Sequence, residues 1–82
     1  MHKVYILFSE VSNKYYIGHT ENLTIRLDKH NKGRVKSTKS GKPWKVSYIE
    51  EFSSKQEAYK RELQIKSYKR GEAFKKLISN NN

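Results

Sequence analysis

The sequence predicts a small α/β (α+β) fold, a three-stranded, mainly antiparallel sheet flanked by helices in the order β-β-α-β-α-α. Three observations carry this. Residues 3–8, 15–19 and 46–52 are short runs rich in β-branched and aromatic side chains, the composition of strands. The stretches between and after them carry helix caps and helical spacing. At 82 residues the chain has room for one thin core, which suits one sheet with a few helices against it. Residues 1–79 are expected to form a single domain and residues 80–82 a disordered tail.

The elements follow in order. Residues 3–8 (KVYILF) form the first strand and 15–19 (YYIGH) the second. Ser12 and Asn13 supply the turn between them, so the pair reads as a hairpin. Gly18 allows a bulge or a close backbone approach. A helix over 22–32 follows, capped by Thr20 or Asn22 and ended by Gly33. Leu23, Leu27 and His30 share one of its faces, and Arg26 and His30 are four residues apart, so their side chains can converge. Residues 33–45 contain Gly, Ser, Thr and the only proline and read as a loop. The third strand covers 46–52. Ser54 to Glu57 fits a capping box that opens a second helix reaching about Tyr68. Its core candidates are Ala58, Leu63 and Ile65, with Tyr59 as a further option. A short last helix over 72–78 buries Phe74, Leu77 and Ile78.

Composition bounds the function. Ten aromatic residues argue against disorder. A formal charge of +10 repels itself on so small a chain and points to a polyanion partner. From Lys29 to Lys45 there are seven Lys and Arg and no acid. Arg34, Lys36, Lys39, Lys42 and Lys45, with Lys66 beyond them, are the candidate nucleic-acid contacts, the alternative being a solvated loop. Absent cysteines exclude a disulfide framework and a thiolate zinc site. The longest apolar runs are far short of the roughly 20 residues that span a bilayer. No membrane association is expected, and the cytoplasm is the default compartment. His2 and His19 form no defensible metal spacing. Trp44 reads as core or loop anchor, base stacking being the alternative.

Two tyrosine-bearing segments flank the hairpin turn, Lys3-Val4-Tyr5 and Tyr16-Ile17-Gly18, and Arg26, His30 and Glu62 follow. Each residue has a plain reading. The tyrosines can be hairpin core, Arg26 and His30 can be helix-surface residues, and Glu62 can pair with Lys66 one turn later. As an ordered set they resemble the GIY-YIG nuclease superfamily, whose two strand motifs precede a helical arginine, often with a histidine after it, and a glutamate on the next helix. Segments such as ENLTIRLDKHN and EEFSSKQEAYKRELQIK resemble the small stand-alone bacterial members, and the resemblance covers about residues 3–78. Lys3 stands where the first motif has glycine.

The resemblance implies a metal-dependent endonuclease that hydrolyses DNA phosphodiester bonds, by nicking or structure-directed cutting, as in repair or recombination. Tyr16 is expected to activate water, a nearby cation lowering its phenol pKa, with Tyr5 beside it holding a water or the phosphate. Arg26 is expected to grip the phosphate through its planar fork, and His30 to contact phosphate or move a proton. Glu62 is expected to hold Mg²⁺ or Mn²⁺. All five should line one concave face. The partner is DNA, with RNA open, and the protein a monomer or weak dimer. No added specificity module is recognised, so targeting by a protein partner is an option. A non-catalytic nucleic-acid-binding module of the same fold is the alternative, and a basic structural protein of ribosomal type the third reading.

Overall fold

The computed structural model describes residues 1–79. The tail expected at 80–82 lies outside the described residues. The element order matches the expected one. Strand β1 (His2–Ser9) runs between β2 (Lys14–Thr20) and β3 (Trp44–Phe52) and is antiparallel to both. Helix α1 (Leu23–Asn31) follows β2, and α2 (Lys55–Ser67) and α3 (Glu72–Ser79) follow β3.

A central strand covered on both faces should be continuously apolar. Val4, Tyr5, Ile6 and Leu7 are all fully buried. Their alternation divides the core in two. Val4 and Ile6 pack with Ala58, Ile65 and Phe74 from α2 and α3. Tyr5 and Leu7 face the other way and pack with Leu23 of α1 and Trp44. Thus α1 lies on one face of the sheet and α2 and α3 on the other. On the β3 side the ladder shifts register between Ile6 and Leu7, pairing Ile6 with Tyr48 but Leu7 with Val46.

Local chemistry sets the helix starts. The Asn22 side chain accepts a hydrogen bond from the Ile25 N–H at 3.1 Å, and Ser54 Oγ accepts one from the Glu57 N–H at 3.1 Å, each satisfying a donor that the first turn leaves free. The capping box at Ser54 is only half formed. Glu57 accepts from the Ser53 and Ser54 hydroxyls instead of reaching back to the cap backbone.

Two expectations are corrected. Residues 33–45 are not a plain loop. A 3₁₀ helix spans Lys36–Gly41, and β3 begins at Trp44. The segment is ordered by polar contacts, which leave no hydrophobic period to read. The Trp44 indole N–H donates to the Thr38 carbonyl at 2.8 Å, Ser9 Oγ donates to the Gly41 carbonyl at 2.5 Å, and the Asn31 side chain bonds both the N–H and the carbonyl of Trp44. Trp44 is therefore a buried anchor. In α2, Leu63 and Tyr59 are exposed rather than core. The buried stripe runs through Ala58, Glu62 and Ile65, so a carboxylate occupies the helical position where the sequence suggests leucine.

Opposite Tyr5 on β2 stands Gly18. A Cβ built there lies 2.6 Å from the Tyr5 hydroxyl oxygen and 2.8 Å from its Cζ. Only a residue without a side chain lets the Tyr5 ring lie across β2. Gly18→Ala is expected to destabilise the protein by about 1–3 kcal/mol through overpacking. Thermal unfolding should register this as a drop of roughly 4–8 °C per kcal/mol for a domain of this size. An unchanged melting temperature would show that Tyr5 is free to move.

Candidate active site

Four of the five candidate residues converge on the α1 face of the sheet. Tyr5 projects from the centre of β1. Tyr16 projects from β2, two positions along from Tyr5's own cross-strand partner, so the two tyrosines are diagonal neighbours with ring centroids 6.2 Å apart. Leu23 and Leu27 hold α1 against this cluster. Arg26 and His30, one turn apart, then face the tyrosines.

These side chains form a directional hydrogen-bond chain. Arg26 Nε donates to the Tyr5 hydroxyl at 3.4 Å, and that hydroxyl lies 3.1 Å from His30 Nε2. His30 Nδ1 is 2.7 Å from Thr38 Oγ1, whose own proton goes to the Val35 carbonyl at 3.3 Å. With the Thr38 proton engaged, Nδ1–H is the donor to Thr38, and Nε2 is left to accept from Tyr5. The network thus assigns the tautomer. Tyr5, His30 and Thr38 are all fully buried.

Burial decides the titration of this cluster. The Tyr5 hydroxyl is held above the ordinary phenol range by desolvation, which outweighs the opposing hydrogen bond from Arg26. The expected role of Tyr5, holding a water or the phosphate, is corrected by the same burial, which leaves its hydroxyl no exposed surface. Burial, assisted by the Arg26 charge, lowers His30 to about 4. With both ring nitrogens engaged and no exposed surface, His30 acts from behind Tyr5 rather than on a phosphate. Arg26 is raised further, chiefly by its bond to Tyr5 with Tyr16 adding to it, against a desolvation that lowers it.

Glu62 is not on this face. Helix α2 covers the opposite side of the sheet, and the Glu62 carboxylate meets the edge strand β2 there. Its Oε1 lies 2.5 Å from His19 Nδ1, and its Oε2 lies 2.6 Å from Lys66 Nζ. Strand alternation puts His19 on the same face as Tyr15 and Ile17, which pack on the α2 side. The expected five-residue face is thus corrected to four residues plus a carboxylate from the other layer. The reason is the burial of Ala58 and Ile65, which turns that stripe of α2 toward the sheet. Charge on Glu62 still reaches Tyr5, as the weakest of the influences that raise its pKa.

The two layers meet at one cleft. A hollow of about 540 Å³ past the end of β2 is lined by Arg26 and Lys29 of α1, His2 and His19 of the strands, and Lys55 of α2, among others. Among the candidate nucleic-acid contacts, Arg34, Lys36, Lys39 and Lys42 are exposed and have no acidic partner among the described residues. Lys45 is paired with Glu10 at 2.6 Å, an acid from outside the basic segment, and Lys66 with Glu62, the helical pair that the sequence offers as the plain reading of Glu62. No helix among the described residues is long and apolar enough to cross a membrane.

Sequence reasoning missed Thr38 and His19. Nothing in a polar loop marks Thr38. His19 carried a signal, since period-two alternation from Ile17 places it on the face that α2 covers.

The fold and this cluster define a nuclease-type domain. The family model described as the GIY-YIG catalytic domain matches residues 1–76, and the chain belongs to that family. More particularly, it is similar to small proteins called UPF0213, a name that states no reaction. One from Staphylococcus haemolyticus is 40% identical over 77 residues, covering 93% of both chains. Another, from Syntrophus aciditrophicus, is 39% identical over 83 residues, covering 98% of this chain and 95% of the relative. The solution NMR structure of a UPF0213 protein from Bacillus halodurans is similar with a TM-score of 0.60 and 32% identity, covering 95% of this chain and 82% of that one.

The buried relay has a pH signature. The folded pKa of His30, about 4, lies below its ordinary value of 6.5, so between these values the unfolded chain binds the extra proton. Stability should hold above pH 6.5 and fall as the pH drops toward 4, with a His30 contribution approaching about 1.4 kcal/mol per pH unit. Chemical denaturation of wild type and His30→Gln across that window, with an imidazole NMR titration, checks this. A His30 titrating near 6.5 would contradict the burial argument.

Proposed function

We propose that this protein is a metal-dependent endonuclease that hydrolyses DNA phosphodiester bonds. The observation that carries this reading is the position of Arg26. Its Nε is turned inward to Tyr5, while the residue lines the basic cleft. Tyr16 also meets the guanidinium, and the terminal N–H groups that face the cleft can take a phosphate. Bound in this way, a guanidinium fork fixes the phosphate and balances charge that grows on its non-bridging oxygens. Tyr16, half-buried beside Tyr5 and His30, orients and activates the attacking water. Tyr5 and His30 hold Arg26 in place. Water adds to phosphorus, the bond to the leaving oxygen breaks, and the water's proton leaves on the Tyr16 side. With one such site, nicking a single strand is the minimal event.

Glu62 is the residue that would hold Mg²⁺ or Mn²⁺. A carboxylate suits a hard cation, and each of its oxygens keeps an acceptor direction beyond the one already used. Lys66 must swing away, which its half-exposed side chain permits. When bound, such an ion supplies charge neutralisation at the leaving oxygen. Water and substrate phosphate would complete its shell, since no group of three or more potential ligands occurs among the described residues.

A second reading has its own observation. Glu62 comes from the layer opposite Tyr16 and is already ion-paired, which favours a nucleic-acid-binding module without turnover. Three measurements separate the readings. Cutting of labelled duplex, flap and branched DNA should need Mg²⁺ or Mn²⁺ and stop with chelator. Glu62→Gln should abolish it with DNA affinity unchanged or slightly higher, and Arg26→Ala should slow it by about 10²–10³-fold. Mn²⁺ should broaden the NMR signals of His19 and Glu62 in wild type but not in Glu62→Gln. Binding without any cutting would leave the module.

Backbone contact by the exposed cations predicts a steep salt dependence. Log K against log salt should fall by about 0.9 per phosphate neutralised. Changing Lys36 and Lys39 together to Ala should flatten that slope by roughly two units. An unaltered slope would move the binding surface elsewhere.

A further inference from the structure

The exposed Tyr59 stands at the rim of the cleft. The helical stripe that α2 buries passes through Ala58, Glu62 and Ile65, which leaves Tyr59 50% exposed on the outer shoulder. Its ring is nonetheless held, edge-on to His19 with centroids 5.8 Å apart. Together with Lys55 and Gln56 these two rings line a second hollow of about 400 Å³. His19 and Lys55 line both this hollow and the larger cleft that contains Arg26. A ring-walled, largely apolar recess therefore adjoins a cationic one. That is the juxtaposition a nucleotide presents, a flat base beside a charged phosphate.

We propose that the recess lined by Tyr59, His19, Lys55 and Gln56 is a base-binding subsite, where an unpaired nucleobase stacks on the exposed side of Tyr59 and the phosphates of its strand lie along Lys55 and Arg26. This rests on the nucleic-acid reading above and narrows its substrate class. A base inside a duplex has both faces covered by its neighbours and offers a protein ring only its edges. A base that stacks on Tyr59 must be single-stranded, at a branch, or turned out of the helix. Stacking suits the recess because a base face needs no hydrogen-bond partner, and the walls supply few. The chain's charge of +10 favours an anionic occupant over a second copy of the same chain, since two copies repel.

Anisotropy with a short labelled single strand, a flapped duplex and a blunt duplex tests this, with chelator present so that binding is read without cutting. Tyr59→Ala should weaken single-strand and flap binding by about tenfold or more and leave the blunt duplex within about twofold of wild type. Tyr59→Phe should bind as wild type does. A 2-aminopurine in the single strand should be quenched by wild type and Tyr59→Phe but not by Tyr59→Ala. Equal losses on all three DNAs, no loss, or quenching that survives Tyr59→Ala would overturn the subsite. So would wild-type self-association, seen by sedimentation, that Tyr59→Ala abolishes. If wild type binds every DNA yet cuts none, the endonuclease reading alone fails. If it binds no nucleic acid, both fail.

Discussion

The hydroxyl of Tyr5 lies fully buried near the centre of the sheet, and much of the α1 face is arranged to satisfy it. A buried phenol without partners costs on the order of 1–3 kcal/mol. Here Arg26 donates to it and His30 accepts from it. Each partner then carries a requirement of its own. His30 needs an acceptor on its far nitrogen, which draws in Thr38, and Thr38 orders the 3₁₀ helix whose carbonyl receives the Trp44 indole. The polar chain thus runs from the cleft through the core to the start of β3. In a medium of low dielectric such a chain is rigid because every member is satisfied. A rigid chain fixes the guanidinium at its outer end.

The same strand sets the division of labour between layers. Residues of β1 alternate, so Tyr5 and Leu7 serve the α1 side while Val4 and Ile6 serve the α2 side. The candidate site side chains occupy the first side and the larger apolar core the second. Glu62 is the exception, a carboxylate in the apolar stripe of α2. Its burial is tolerated because both oxygens have partners, His19 and Lys66. A buried charge stripped of its partners is strongly destabilising. The pairs that let Glu62 fold where it does are therefore also what the proposed cation would have to displace.

Much was legible in the residues themselves. The strands, the hairpin turn at Asn13 and the capped starts of α1 and α2 follow from local chemistry, namely β-branched runs, a residue tolerant of positive φ, and Asn and Ser side chains that accept first-turn N–H groups. The convergence of Arg26 and His30 follows from helical spacing alone. The face on which α2 packs did not, because Leu63 and Glu62 are adjacent and a rotation of one residue, about 100° around the helix, exchanges them. That choice was settled by the shape of the sheet and by the ion partners waiting at its edge.

The sequence by itself determined the element order, the central apolar strand, the hairpin that sets Tyr5 beside Tyr16, and the helical spacing that sets Arg26 beside His30, since these depend on periodicity and near neighbours. Tertiary structure alone decided that Tyr5 meets Arg26 and His30, that residues 36–41 form an ordered turn, that Thr38 fixes the His30 tautomer, and that Glu62 pairs with His19 in the opposite layer. Each of these depends on a polar contact that no strand or helical period brings together, at hydrogen-bond range, where a shift of an ångström makes or breaks the interaction and no local pattern records it.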